Sequence, residues 1–150
     1  MALFAAMIAS CLGLTERQAH AALGEAVASV ADDRRVLGAS HTGTSSHGLY
    51  TVETMTSGSG TVREYVSASG VVFAVAWNGV AHPDLRSLLG SFANEYESAL
   101  ARTARAPGRR HQQVRTERVV VERWGHMRDL HGRAYVPALV PADVSIDEIK

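Results

Sequence analysis

The sequence predicts an α+β fold: an antiparallel sheet of about five strands packed against one long amphipathic helix, with a short helix ahead of the sheet. Three observations carry that prediction. Strand-like runs at residues 49–56, 61–67 and 71–77 are separated by turns too short to hold a crossover helix, so they must pair antiparallel. A stripe of Leu85, Leu88, Leu89, Phe92, Tyr96 and Leu100 then recurs at helical spacing. Two further runs, 118–124 (RVVVERW) and 133–136, follow it and are rich in strand-forming residues.

Taken in chain order, the first legible segment is MALFAAMIASCLGL, an uncharged apolar run of signal-peptide length that is too short to span a bilayer. Small residues at Ala19 and Ala21 match the positions a signal peptidase reads, so residues 1–21 are expected to be a signal peptide cleaved after Ala21. Residues 22–150 are then one α+β domain, periplasmic or secreted. An alternative reads Ile8-Ala9-Ser10-Cys11 as a lipobox, which would anchor a lipoprotein through Cys11. A third makes the apolar run an N-terminal helix of the folded domain.

Ser29 to Asp32 has the spacing of a helix N-cap with an acidic third residue, and Gly38 would end the short helix that follows near Leu37. GASHTGTSSHG, residues 38–48, is small, polar and without a period, which predicts a loop. Gly58-Ser59-Gly60 and Ser69-Gly70 supply the turns of the meander. In its last strand Val71, Phe73, Val75 and Trp77 point one way and Val72, Ala74 and Ala76 the other, giving one bulky and one shallow apolar face. Such a strand belongs in the middle of a covered sheet.

The helix is expected from about Pro83 to Thr103. Gly90 inside it costs roughly 1 kcal/mol relative to Ala, a cost that close approach to the sheet would offset. Ala106-Pro107-Gly108 terminates it. A polar stretch, GRRHQQVRTE, leads to the strand at 118–124. Residues 133–136 read as a partner or edge strand because Pro137 cannot donate to a ladder.

Composition narrows the function classes. The chain is 46% hydrophobic and 20% charged, an ordinary globular balance, and its 15 basic and 15 acidic residues give no global pull toward nucleic acid or an anionic membrane. Cys11 is the sole cysteine, so no internal disulfide forms and a metal would have to rely on histidines and carboxylates. The strongest metal candidate is the set His126, Asp129 and His131, read as one turn; it lacks a defined spacing signature, and solvated histidines bonding locally are the plainer reading. His41 and His47 are weaker candidates. Ser45-Ser46-His47 and Gly58-Ser59-Gly60 contain residue types of nucleophilic catalysis without its flanking pattern, and no phosphate-cradling glycine loop opens a helix, so no catalytic residue and no cofactor is assigned.

A basic cluster is more concrete. Arg102, Arg105, Arg109, Arg110, Arg115 and Arg118 crowd the helix end and the segment after it, and arginine forks recognise phosphate and carboxylate well. The bland reading is a solvated helix end, and the lack of interleaved aromatics disfavours nucleic acid. Trp77, Trp124, Tyr65 and Tyr135 are assigned to the core or sheet faces rather than to a ligand platform.

Three blocks, GTVREYVSASGVVFAVAWNG, PDLRSLLG and GHMRDLHGRAYVPALVPADVS, resemble a family of small exported Gram-negative bacterial proteins, the domain of unknown function 2844. The resemblance runs from about Ala22 to the end of the chain. It implies an exported, single-domain protein and carries over no catalytic residue. The leading expectation is therefore a non-enzymatic binding or accessory protein of the cell envelope, its partner another envelope protein or an anionic lipid or polysaccharide. Two alternatives are a small hydrolase or metal enzyme using His126, Asp129 and His131, and a structural module that buries the Val72-Ala74-Ala76 face against a partner.

Overall fold

A computed structural model describes residues 23–26, 34–35, 37–103 and 110–150. Its strands are β1 (Ser40–Ser46), β2 (Tyr50–Ser57), β3 (Gly60–Ser67), β4 (Val72–Gly79), β5 (His111–Arg115), β6 (Val120–His126) and β7 (Asp129–Tyr135). They form one antiparallel sheet in the order β1-β2-β3-β4-β7-β6-β5. Between β4 and β5, helix α1 (Leu85–Leu89) passes through a 3-10 turn (Gly90–Phe92) into α2 (Ala93–Arg102), one helical segment of 18 residues.

Seven strands replace the five expected. The additional two, β1 and β5, lie in stretches that read as a loop and as a polar connection. Both are edge strands whose side chains mostly face solvent, so they pair through backbone hydrogen bonds and show no hydrophobic alternation. On β1, Thr42 bonds the Thr54 carbonyl and Thr44 donates to Glu53 at 2.7 Å, a polar substitute for apolar cross-strand pairs. The strand expected at 133–136 starts earlier and is central, between β4 and β6. Pro137 lies just past its end and opens a 3-10 turn, so the missing donor costs the ladder nothing.

The expected short N-terminal helix is not an element of the fold either. Arg34 and Arg35 are helical and Leu37-Gly38 already turns; the remainder of that span lies outside the described residues, as do the apolar run at 1–14, Cys11, Ala19 and Ala21. Gly90 is likewise no interior helix residue. It sits at φ 49°, ψ −117°, where the α-helix breaks and re-forms through the 3-10 turn.

The sheet is covered on both sides. On the helix face Leu88, Leu89, Phe92 and Tyr96 pack over Met55, Val62, Val75, Trp77 and Val121, and Leu23 completes that layer with its N–H on the Leu88 carbonyl. On the opposite face Val144 and Ile149 of the C-terminal tail pack over Val52, Phe73, Ala74, Ala76, Val120 and Tyr135. Each fully buried aliphatic side chain in these layers stabilises by about 1.5–3 kcal/mol.

A β-bulge corrects the expected facing of β4. Tyr65 pairs with Ala74 and Val66 with Val72, which leaves Phe73 as the extra residue. Val72, Val75 and Trp77 therefore face the helix, whereas Phe73, Ala74 and Ala76 face the tail. The shallow face proposed for a partner is thereby divided between two internal layers, with Val72, Ala74 and Ala76 all essentially inaccessible.

Candidate functional site

Antiparallel register writes a polar band across the tail face. Thr54, Arg63, Ala76, Arg133, Glu122 and Gln113 lie side by side on β2, β3, β4, β7, β6 and β5, and the next row holds Asn78, His131, Trp124 and His111. Alternation within each strand puts these groups on the same side as the apolar layer under the tail. The tail covers that apolar layer and stops beside the polar band.

Several bonds hold the tail there. Arg133 donates to the Ile146 carbonyl at 2.7 Å, the Lys150 backbone N–H donates to the Tyr65 hydroxyl at 3.0 Å, and Tyr50 donates to Glu148 at 3.0 Å. Ser145 caps the last 3-10 turn, in which its backbone N–H and then the Tyr50 hydroxyl hold the Glu148 carboxyl below the usual carboxylate range. Burial and that carboxylate in turn push Tyr50 up.

Between the tail and the β6–β7 hairpin a cleft of about 490 Å³ remains, bordered by Tyr50, Arg63, Asn78, Trp124, His131 and Lys150. Trp124 and Lys150 also border a second hollow of about 330 Å³ on the β5 side. Trp124 is partly exposed, stacks on His131 with ring centroids 6.0 Å apart and planes 6° apart, and has the Arg133 guanidinium 5.9 Å from its centre. Arg133 is bonded to Glu122 at 2.6 Å, and Gln113 donates to the other Glu122 oxygen, so this buried carboxylate is matched. Arg63 donates to Asn78 at 2.8 Å and to the Lys150 carbonyl at 3.4 Å. The band thus combines the Arg63 and Arg133 guanidinium groups, a Glu122 carboxylate matched by Arg133, one partly exposed indole and neutral hydroxyl and amide groups, with the Glu148 carboxyl of the tail at the cleft's border.

His126, Asp129 and His131 belong to a two-residue hairpin rather than to one turn. His126 ends β6 opposite Asp129, the first residue of β7, and His131 lies 2.8 Å from Asp129. Met127, at φ 48° and 88% exposed, occupies the tip. Among the described residues no three His, Cys, Asp or Glu side chains gather as a metal-ligating group. His131 instead serves the Trp124 stack.

The described members of the arginine cluster are spread over separate elements. Arg102 ends α2, Arg110 and Arg115 are exposed at either end of β5, and Arg105 and Arg109 lie outside the described residues. Arg118 is committed elsewhere, bonded to Glu95 at 2.8 Å and lying 5.0 Å from the centre of the Phe92 ring. Of the two weaker histidines, His41 bonds Glu53 at 2.8 Å and His47 stacks on Tyr50.

Arg63, Asn78, Trp124 and Lys150 were not singled out as binding residues by the sequence. The available signal was parity: Arg63 shares a face with Tyr65, and Arg133 with His131, within strands whose other face is mostly apolar, Glu64 apart. Parity names a face but not its neighbours across the sheet.

A family model described as "Protein of unknown function (DUF2844)" matches residues 19–149. Comparison with curated proteins and with solved structures finds no match.

Proposed function

The chain belongs to the DUF2844 family of proteins of unknown function, and we propose that it is an exported, non-enzymatic binding protein of the bacterial cell envelope that holds a segment of acidic polysaccharide in the tail-face cleft. The observation that carries this reading is the lining itself: Trp124 with its His131 stack, the cations Arg63 and Lys150, and the neutral groups of Thr54 and Asn78 around one open depression, whose single carboxylate side chain among the described residues, Glu148, is already taken by the Tyr50 hydroxyl and the Ser145 N–H. A sugar ring offers an apolar C–H face to an indole and hydroxyls to amide and hydroxyl side chains. A carboxylate or sulfate on that ring suits a guanidinium or ammonium. Export is supported by the apolar run at 1–14 and by Ala19 and Ala21, which have the small side chains a signal peptidase reads.

Expression of the full chain in an exporting bacterial host tests both parts. The periplasmic protein should have the intact mass of a chain beginning at Ala22; an unprocessed chain, or one lipidated at Cys11, overturns the soluble-export reading. Trp77 is buried and Trp124 is not, so indole fluorescence should respond on titration with tetragalacturonate or a heparin tetrasaccharide and not with neutral maltotetraose. Trp124→Ala and Arg63→Gln should each weaken binding about tenfold or more, and the affinity should fall with added salt. Equal response to the neutral sugar, or none to either acidic one, sinks the assignment.

A further inference from the structure

On the opposite, helix face of β6, Arg123 is partly buried and meets the side-chain carbonyl of Gln112 rather than a carboxylate. Among the described residues no acidic side chain forms an ion pair with it. Beside it opens a hollow of about 180 Å³ bordered by Arg110, Arg123, His82, His111 and Gln112, with no carboxylate on its rim. A guanidinium withdrawn from water beside a second arginine is a costly arrangement unless an anion joins it.

The neighbouring groups supply donors. His82 Nδ1 accepts the Trp77 indole N–H at 2.9 Å, so in the neutral ring the proton sits on Nε2, leaving a donor on the other side. Burial, and then the charge of Arg123, keep His82 below the ordinary histidine range and hence neutral at pH 7. Arg123 also acts electrostatically on Tyr96, whose buried hydroxyl has no hydrogen-bond partner among the described residues. An anion is the missing complement to this set.

We propose that Arg123, Arg110, His82 and His111 form an oxyanion site of the phosphate class at the end of the sheet where β5 begins and β6 finishes, with Arg123 reaching it from the helix face and His111 from the tail face. Trp124 borders both this hollow and the tail-face cleft, but the charged and donor groups differ: Arg123, Arg110 and His82 border only this one, so the proposal does not rest on the polysaccharide reading. The guanidinium forks take two oxygens of the group and the imidazole N–H a third. Phosphate can arrive free or as a monoester on a larger molecule, and the test separates these sources.

Calorimetric titration of the processed full chain, at constant chloride and pH 7.5, uses inorganic phosphate in one arm and glycerol phosphate in the other. Saturable binding is expected in at least one arm; binding of the monoester alone identifies a phosphate carried on a larger ligand. Arg123→Gln should weaken it at least tenfold, roughly the effect of one charge-assisted contact, and so should Arg110→Gln. The second variant guards against misfolding, because Arg110 is exposed. Arg86→Gln, at an arginine already paired with Glu97, should bind as the parent does. No saturation in either arm, or unchanged binding in Arg123→Gln, overturns the site.

Discussion

Trp77 and Gly132 show how a single position can depend on a partner across the sheet. They face each other on β4 and β7, and the indole lies over Gly132 so closely that a Cβ there would run into Cζ2 and Cε2 of the ring and sit 2.8 Å from the Glu122 carbonyl oxygen. The tryptophan is 2% exposed and its N–H is tied to His82, so it has no free direction in which to yield. Gly132→Ala should therefore destabilise the protein by about 1–3 kcal/mol, as overpacking of a core does. A urea-denaturation midpoint and the position of the Trp77 emission check this; an unchanged midpoint with unchanged emission would mean that the strands part without cost. In the sequence Gly132 is simply one more glycine just ahead of the strand expected at 133–136, since its requirement comes from a residue 55 positions away.

At the scale of elements, the helix stripe was legible because its periodicity is local. Leu88, Leu89, Phe92 and Tyr96 are buried as their spacing requires. Gly90 was misread because propensity describes the average helix and not this one. Replacing an interior helical glycine by alanine gains roughly 1 kcal/mol. At φ 49°, ψ −117° the same change forces an L-residue into a conformation it rarely adopts, and Gly90→Ala should instead cost about 1–2 kcal/mol. Calorimetric melting decides between the two signs. The edge strands escaped notice for a related reason. β1 carries Ser, Thr, Gly and His facing mostly solvent, so nothing in its composition distinguishes it from a loop until β2 offers its backbone. The bulge at Phe73 was equally hidden, because a bulge is a mismatch between two strands.

For the whole molecule, titration of dispersed groups sets a pH profile. Burial, then Arg123, hold His82 below its ordinary 6.5. Glu95 is held below 4.5 by the Thr116 hydroxyl first and by Arg118, and Glu148 by the Ser145 N–H first and by Tyr50. In all three the folded pKa is below the unfolded one, so the native state binds fewer protons and stability falls as pH falls. The His82 part begins to be lost below about pH 6.5, and the two carboxylate parts below about pH 4.5, down through their folded values. Tyr50 and Tyr96 are shifted upward, Tyr96 chiefly by burial, so the neutral native form loses stability as pH rises past 10. Denaturant midpoints should be level from about pH 7 to 9 and decline on both sides. His82→Gln should remove the decline between pH 6.5 and 5 and leave the one below 4.5; a parent midpoint flat from pH 7 to 5 contradicts the assignment.

The sequence by itself determined the antiparallel meander, the position of the helix, the apolar centre of β4 and membership of the family, because each rests on short-range periodicity or on contiguous blocks of residues. It also held the parity that puts Arg63 with Tyr65 and Arg133 with His131. Tertiary structure alone decided the number of strands, the sharing of β4 between two faces and the use of the tail as a cover. It also decided the meeting of Arg63, Trp124 and Lys150 around one cleft and of Arg123 with His82 around another. These depend on register and on packing between segments far apart in the chain, and register is fixed by the energy of the assembled sheet rather than by any one strand.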